Sequence, residues 1–241
     1  MRLEVALPLG AVGLYVYDSL LMLYDNEYLF SRSRRRWRAT TGSAFVLFGR
    51  RVTLQNPFLP HRPVFRVAVG DADFGDEDVV DAAMPDTDAF LRALGPLQFI
   101  AQVQLALLFL VLPLSLGVFG PDWISLSVVA SFYVLTLLSL CLAGARREVL
   151  GLDRKALFSL WSDGILCAPF AVNIVRKISL HWKIGPSPVR FAKARFDRSA
   201  LDAFAGLLDS RLAAECTAAP EDPALGAQVA LRRQRIGALK Q

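Results

Sequence analysis

The chain has 241 residues, 54% of them apolar, and a mean hydropathy of +0.39, where soluble domains run at about 45–50% apolar. The excess is gathered into long uncharged runs between Arg-rich and Asp-rich stretches, which excludes a disordered chain, a collagen-like repeat and an ordinary soluble globule. Of the 27 basic residues, 22 are Arg and 5 Lys, and the formal charge of +5 suits an anionic headgroup, a phosphate or an acidic partner without choosing among them. The expected fold class is an α-helical integral membrane protein with three transmembrane helices, a small cytoplasmic β meander and interfacial and cytoplasmic C-terminal helices.

Three runs meet the requirement of about 17–25 mostly apolar residues for crossing a bilayer: 3–24, 97–119 and 123–144. The first is longer than a signal-peptide core, carries Glu4 and Asp18, and is followed by no small-x-small cleavage site, so it reads as a retained helix. Ten arginines lie between the first and second runs and sixteen basic residues after the third, while the external turn 120–122 has none. Positive loops stay cytoplasmic, which predicts an external amino terminus and a cytoplasmic carboxyl terminus. The expected location is the inner (cytoplasmic) membrane of a bacterium.

Residues 25–96 form the first cytoplasmic region. Within it Arg32, Arg34, Arg35, Arg36 and Arg38 surround Trp37. Each basic residue near an anionic leaflet contributes about 1 kcal/mol and Trp prefers the headgroup level, so Arg34, Arg35, Arg36 and Trp37 are read as lipid headgroup contacts. Residues 45–48 and 52–54 read as strands joined by a turn at Gly49, Arg50 and Arg51, with 64–69 as a third strand after Pro57, Pro60 and Pro63. The stretch 71–88 holds eight acidic residues. Asp71, Asp73 and Gly75 loosely resemble a calcium loop, but the remaining ligand positions do not match, and a solvated acidic loop is favoured.

Residues 156–175 are long enough to span but contain Ser159, Ser162, Asp163, Gly164, Pro169 and Asn173. Two amphipathic helices lying in the interface within 145–184 are preferred to a fourth span or a re-entrant hairpin, with Trp161, Arg176 and Lys177 as further headgroup contacts. The region 185–241 is basic and cytoplasmic. In it, a helix over about 197–215 has a narrow stripe of Leu201, Phe204, Leu208 and Leu212 that docks on the protein or a partner.

Asp18 is the sharpest chemical feature, because an acid within a membrane helix is expensive and is a functional candidate by default. Counted from the cytoplasmic boundary it matches the depth of Gln102, which predicts a polar clasp between the first two helices formed by Asp18, Gln98, Gln102 and Tyr15. Proton or substrate handling is the competing role. Cys141, Cys167 and Cys216 are widely spaced and His61 and His181 are the only histidines, so no disulfide framework, metal site or cofactor is expected. No catalytic constellation or nucleic-acid module is legible. The favoured function is therefore a non-enzymatic accessory, assembly or scaffold protein of the bilayer, with a protein partner or self-association. A membrane enzyme acting on a lipid or isoprenoid phosphate and an oligomeric small transporter are the alternatives.

Overall fold

The computed structural model describes residues 3–33, 36–70, 73, 86–185, 187–218, 234 and 236–237. The chain divides into two compact units: Met1–Leu21, Leu54–Pro63 and Asp86–Trp182 form the first, and Met22–Thr53, Val64–Pro85 and Lys183–Gln241 the second.

The first unit is helical. Helix α1 (Leu3–Asp18) has 16 residues, a rise of about 24 Å, and is six residues shorter than the run 3–24. It stops because Leu20–Leu23 goes extended as strand β1, while the Ser19 amide and hydroxyl cap the Tyr15 carbonyl at 3.1 and 2.9 Å. Helix α2 (Thr87–Ala106) begins ten residues earlier than the run 97–119, because Asp86 caps it by accepting from the Ala89 amide at 2.9 Å. It continues through a π turn (Leu107–Val111) into α3 (Leu112–Phe119). The extra residue of the π turn lies just before Pro113, whose ring and missing N–H conflict with a regular turn. Helix α4 (Trp123–Ala145) starts on Asp122, which accepts from the Trp123 amide at 2.7 Å.

Among the described residues two helices are long and apolar enough to cross a membrane, Thr87–Phe119 and Trp123–Ala145. The side of α4 that packs inward carries Ser125, Phe132, Thr136, Ser139, Leu140 and Ala143, mostly small residues that allow close approach. The opposite side leaves Leu126, Val134, Leu137 and Leu138 exposed. The segment 156–175 does not form one helix. It is divided into α5 (Arg154–Leu166), a 3-10 turn (Ala168–Asn173) and the start of α6 (Ile174–His181), with Pro169 in the first turn of the 3-10 piece. Thirteen residues of α5 rise about 20 Å, too little to span. α5 runs back along α4, and a Cβ on Gly164 would lie 3.2 Å from Leu140 Cδ1. The 3-10 turn places Ala168 and Val172 in one apolar cluster with Tyr15, Leu108, Leu112, Leu116 and Phe132.

The second unit is built on two small sheets. In one, β2 (Glu27–Ser33) lies between β3 (Arg36–Thr40) and β6 (Val64–Ala68), antiparallel to both, with Phe30 opposite Ala39 and Phe65. In the other the order is β1, β5 (Arg50–Leu54), β4 (Val46–Leu47). Leu47 pairs with Arg50, so Phe48 and Gly49 form a two-residue turn with φ of 50° and 71°, the positive angles a type I′ hairpin demands. The expected strands 45–48, 52–54 and 64–69 correspond to Val46–Leu47, Arg50–Leu54 and Val64–Ala68, but the turn expected at Gly49, Arg50 and Arg51 falls instead at Phe48 and Gly49 with both arginines in β5, and the third strand belongs to a different sheet. Strand β1 lies inside the run 3–24 that reads as a helix, and β2 and β3 were not legible among the arginines.

Helices α7 (Pro188–Arg195) and α8 (Arg198–Ala218) complete this unit. Phe204, Leu208 and Leu212 of the expected stripe are buried. The stripe docks on the protein itself: Phe204 meets Phe30 at 5.1 Å and Tyr28 at 5.6 Å between ring centroids, and Arg211 lies 4.2 Å over the Tyr28 ring. Trp37, expected at the headgroup level, is instead 4% exposed, packed against Phe191, Phe196 and Phe65. Alternation along β3 turns Trp37 inward and Arg36 and Arg38 outward.

Candidate functional site: a polar network at the end of the first helix

Within the first unit, three chain segments bring polar groups together beside the apolar helices. The end of α1 supplies Tyr15, Asp18 and Ser19. The proline-punctuated loop Leu54–Pro63 supplies backbone carbonyls, and α5, the 3-10 turn and α6 supply Asp163, Asn173, Arg176 and Lys177. The Lys177 ammonium lies 3.0 Å from Asp18 Oδ1 and 3.0 Å from Asp163 Oδ2, and 4.8 Å over the Phe170 ring. Asn173 Nδ2 donates to Asp18 Oδ2 at 3.1 Å and to Ser19 Oγ at 3.0 Å. The Arg176 guanidinium donates to Asn173 Oδ1 at 3.1 Å, to Ser19 Oγ at 3.3 Å and to the Asn56 carbonyl. The Tyr15 hydroxyl donates to the Pro57 carbonyl, and the Gln55 amide donates to the Ser19 carbonyl at 3.2 Å.

The arrangement answers two electrostatic problems. A carboxylate at the C-terminal end of a helix faces the negative end of the helix dipole, and Lys177 supplies the cation that offsets it. Backbone carbonyls of an irregular loop set among apolar helices need donors, and Tyr15 and Arg176 supply them for Pro57 and Asn56. Arg176 is 5% exposed.

Of the four residues expected in a clasp, Asp18 and Tyr15 enter this network and the two glutamines do not. Gln102 is exposed and Gln98 half-buried on α2. The residue that does join α2 to α4 is Gln104, whose Nε2 donates to Thr136 Oγ1 at 3.0 Å. Depth alone pointed to Gln102. Two residues further on, Gln104 lies about 200° around a 3.6-residue helix, and that phase decides the contact.

The expected headgroup set separates as well. Arg176 and Lys177 turn inward, because α6 buries Ile174, Val175 and Ile178 and carries Arg176 with them. Trp161 is half-buried on the outer face of α5, beside Phe158, Ile165 and Leu166, where an apolar groove of about 600 Å³ runs along the helix from Arg154. Arg36 is exposed on β3. Arg34 and Arg35 lie outside the described residues, as does most of the acidic stretch 71–88; Asp73 within it accepts from the Gly70 amide at 2.8 Å. Among the described residues no group of three or more His, Cys, Asp or Glu could hold a metal ion, and Cys141 and Cys167 are free thiols.

Sequence reasoning missed Asp163, Asn173, Ser19 and the loop carbonyls. The signal for Asp163 and Asn173 was present, since both interrupt the apolar run 156–175, but a polar interruption reveals a demand for a partner without naming it. No protein family, curated protein or solved structure matches the chain.

Proposed function

We propose that the protein is a non-enzymatic scaffold or accessory protein embedded in a membrane, in which the α2 to α4 helical hairpin crosses the bilayer and the polar network locks the remaining segments of the first unit against it. One observation carries this reading. Irregular backbone at Asn56 and Pro57 lies beside the apolar helices with its carbonyls capped by Arg176 and Tyr15, the condition under which non-helical chain is tolerated at membrane depth. Tyr15 and Phe58 each meet the Phe109 ring at 5.8 Å between centroids, and Phe109 lies eleven residues, about 16 Å, from the Gly120 turn. Taking that turn as one face of a hydrocarbon core about 30 Å thick, the loop reaches the middle of the bilayer. Its polar side chains are then committed to one another and to the loop, which accords with a structural role more than with a reacting site.

The hairpin reading also improves the charge distribution. With α1 packed beside the hairpin rather than crossing, Arg2 joins the other 26 basic residues, and the turn 120–122 has no cation.

Transport is the second reading, favoured by one feature: Lys177 is shared between two carboxylates, Asp18 and Asp163, as in sites that pass a proton or cation. Asp18→Asn and Arg176→Met separate the two. A scaffold requires membrane abundance and complementation of the deletion phenotype to fall together in both variants. Normal abundance of Asp18→Asn with lost complementation would replace the scaffold by proton or cation handling.

A further inference from the structure

The second unit carries an exposed apolar feature that the network does not use. At the β4–β5 hairpin, Phe45, Val46, Leu47 and Phe48 are all exposed, Phe48 to 90%. A strand with one face on a core alternates inward and outward, and here both faces are open. The turn adds a second oddity. A type I′ hairpin needs positive φ at both central residues and is served by Asn-Gly or Gly-Gly; Gly49 adopts 71° freely, but Phe48 holds 50°, an uncommon and strained angle for a bulky side chain. A smaller residue would close the turn with less strain, and among the described residues of its unit the Phe48 ring gains almost no packing in return. Its contact therefore lies beyond them.

The charge around the hairpin says what kind of surface that is. Between residues 22 and 53 there are seven arginines against Asp25 and Glu27. Arg50 and Arg51 directly follow the turn, Arg50 stacked 4.3 Å over the Tyr24 ring and Arg51 3.1 Å from Asp25. An apolar aromatic tip with cations set immediately behind it matches the order of an anionic leaflet, acyl chains beneath phosphates. We propose that the Phe45–Phe48 hairpin tip inserts into an anionic phospholipid leaflet, with Arg50 and Arg51 at the headgroups, as a lipid-docking element of the second unit. The proposal rests on the reading of the chain as a membrane protein.

The test uses the full chain, with Cys141, Cys167 and Cys216 replaced by Ala or Ser, reconstituted in vesicles of phosphatidylglycerol and phosphatidylcholine. A nitroxide at Phe48→Cys is compared with one at Leu126→Cys on the exposed face of α4 and one at Asn26→Cys as the aqueous reference. Access to oxygen and to a water-soluble nickel chelate gives immersion. Position 48 is expected to favour oxygen several-fold over position 26, approaching position 126, and to lose much of that preference in pure phosphatidylcholine. A nitroxide at Phe45→Cys, outside the strained turn, gives the same reading if the Phe48 variant misfolds. Nickel access at 48 and 45 equal to that at 26, with 126 immersed, would overturn the docking proposal alone. Nickel access at 126 as well would overturn the membrane reading with it. Spin–spin broadening between labels at 48 would assign the tip to a second copy of the chain and overturn the lipid assignment, and equal immersion in both lipids would overturn the role of the arginines.

Discussion

The two units are held by different chemistry. In the second, a sheet and two helices close over rings: Phe30 meets Phe196 at 4.9 Å and Phe204 at 5.1 Å, and Trp37 meets Phe191 at 5.0 Å. In the first, apolar helices pack through small residues, and charged and amide groups gather where the segments meet. On the proposed membrane reading, the contrast follows from what surrounds each. A core that excludes water gains from burying aromatic area. Helices already in an apolar medium gain little from further apolar contact, so packing and hydrogen bonds fix their arrangement.

The largest expected effect breaks the aromatic side of this comparison. Phe30→Ala removes a fully buried ring shared by three others and should cost about 3–5 kcal/mol. In limited proteolysis the second unit should become sensitive while α2 and α4 stay protected; equal loss of protection in both would mean that the units do not fold separately. Arg176→Ala attacks the other side. It leaves the Asn56 carbonyl and Asn173 without their donor and should cost about 3 kcal/mol, at the lower end for a broken buried polar partner. Denaturant unfolding in mild detergent should show the loss in the first unit, with the aromatic near-ultraviolet signal of the second unit retained.

A smaller effect tests packing without charge. In Gly164→Val the new side chain must displace Leu140 and Thr136, whose Cδ1 and Cγ2 lie 3.2 and 3.5 Å from the added Cβ. The expected cost is about 1–3 kcal/mol, read as a lower unfolding midpoint in detergent. The smallest effect is one of pH. The Ala200 amide, then the Ser199 hydroxyl, hold the Asp197 carboxyl below its usual range at the start of α8. A carboxyl with a depressed folded value stabilises fully above the unfolded value near 4, and that contribution is lost as pH falls through the folded value. Asp197→Ala should flatten the dependence of helicity on pH below about 4 and change nothing at neutral pH beyond a small constant loss.

Legibility in the sequence followed the type of signal. Apolar length located α2 and α4, and periodicity located the stripe of α8, because both depend on side chains close in sequence. The β4–β5 hairpin was visible as a glycine between apolar runs, but its turn reads at Gly49, Arg50 and Arg51 and forms one residue earlier, at Phe48 and Gly49. The strands β2 and β3 were hidden, since Arg32, Arg36 and Arg38 dominate the reading while the alternation that turns Trp37 inward covers five residues. The polar network was half visible. Asp18 announced itself by cost, but its partners Asn173 and Lys177 lie about 155 residues away, and only the return of α6 to the end of α1 brings them together. Matching depth selected Gln102; helical phase exposed it and buried Gln104.

The claim that this network is a lock rests most directly on the coupling between Asp18 and Lys177, which a double-mutant cycle measures. Asp18→Leu, Lys177→Met and the double variant are unfolded in the same detergent, with Asp163 left in place. A lock predicts a coupling of about 1–3 kcal/mol, with the double variant less damaged than the two single losses added together. Strict additivity would contradict it, leaving the 3.0 Å contact between the ammonium and the carboxylate without a part in holding α1 to α6.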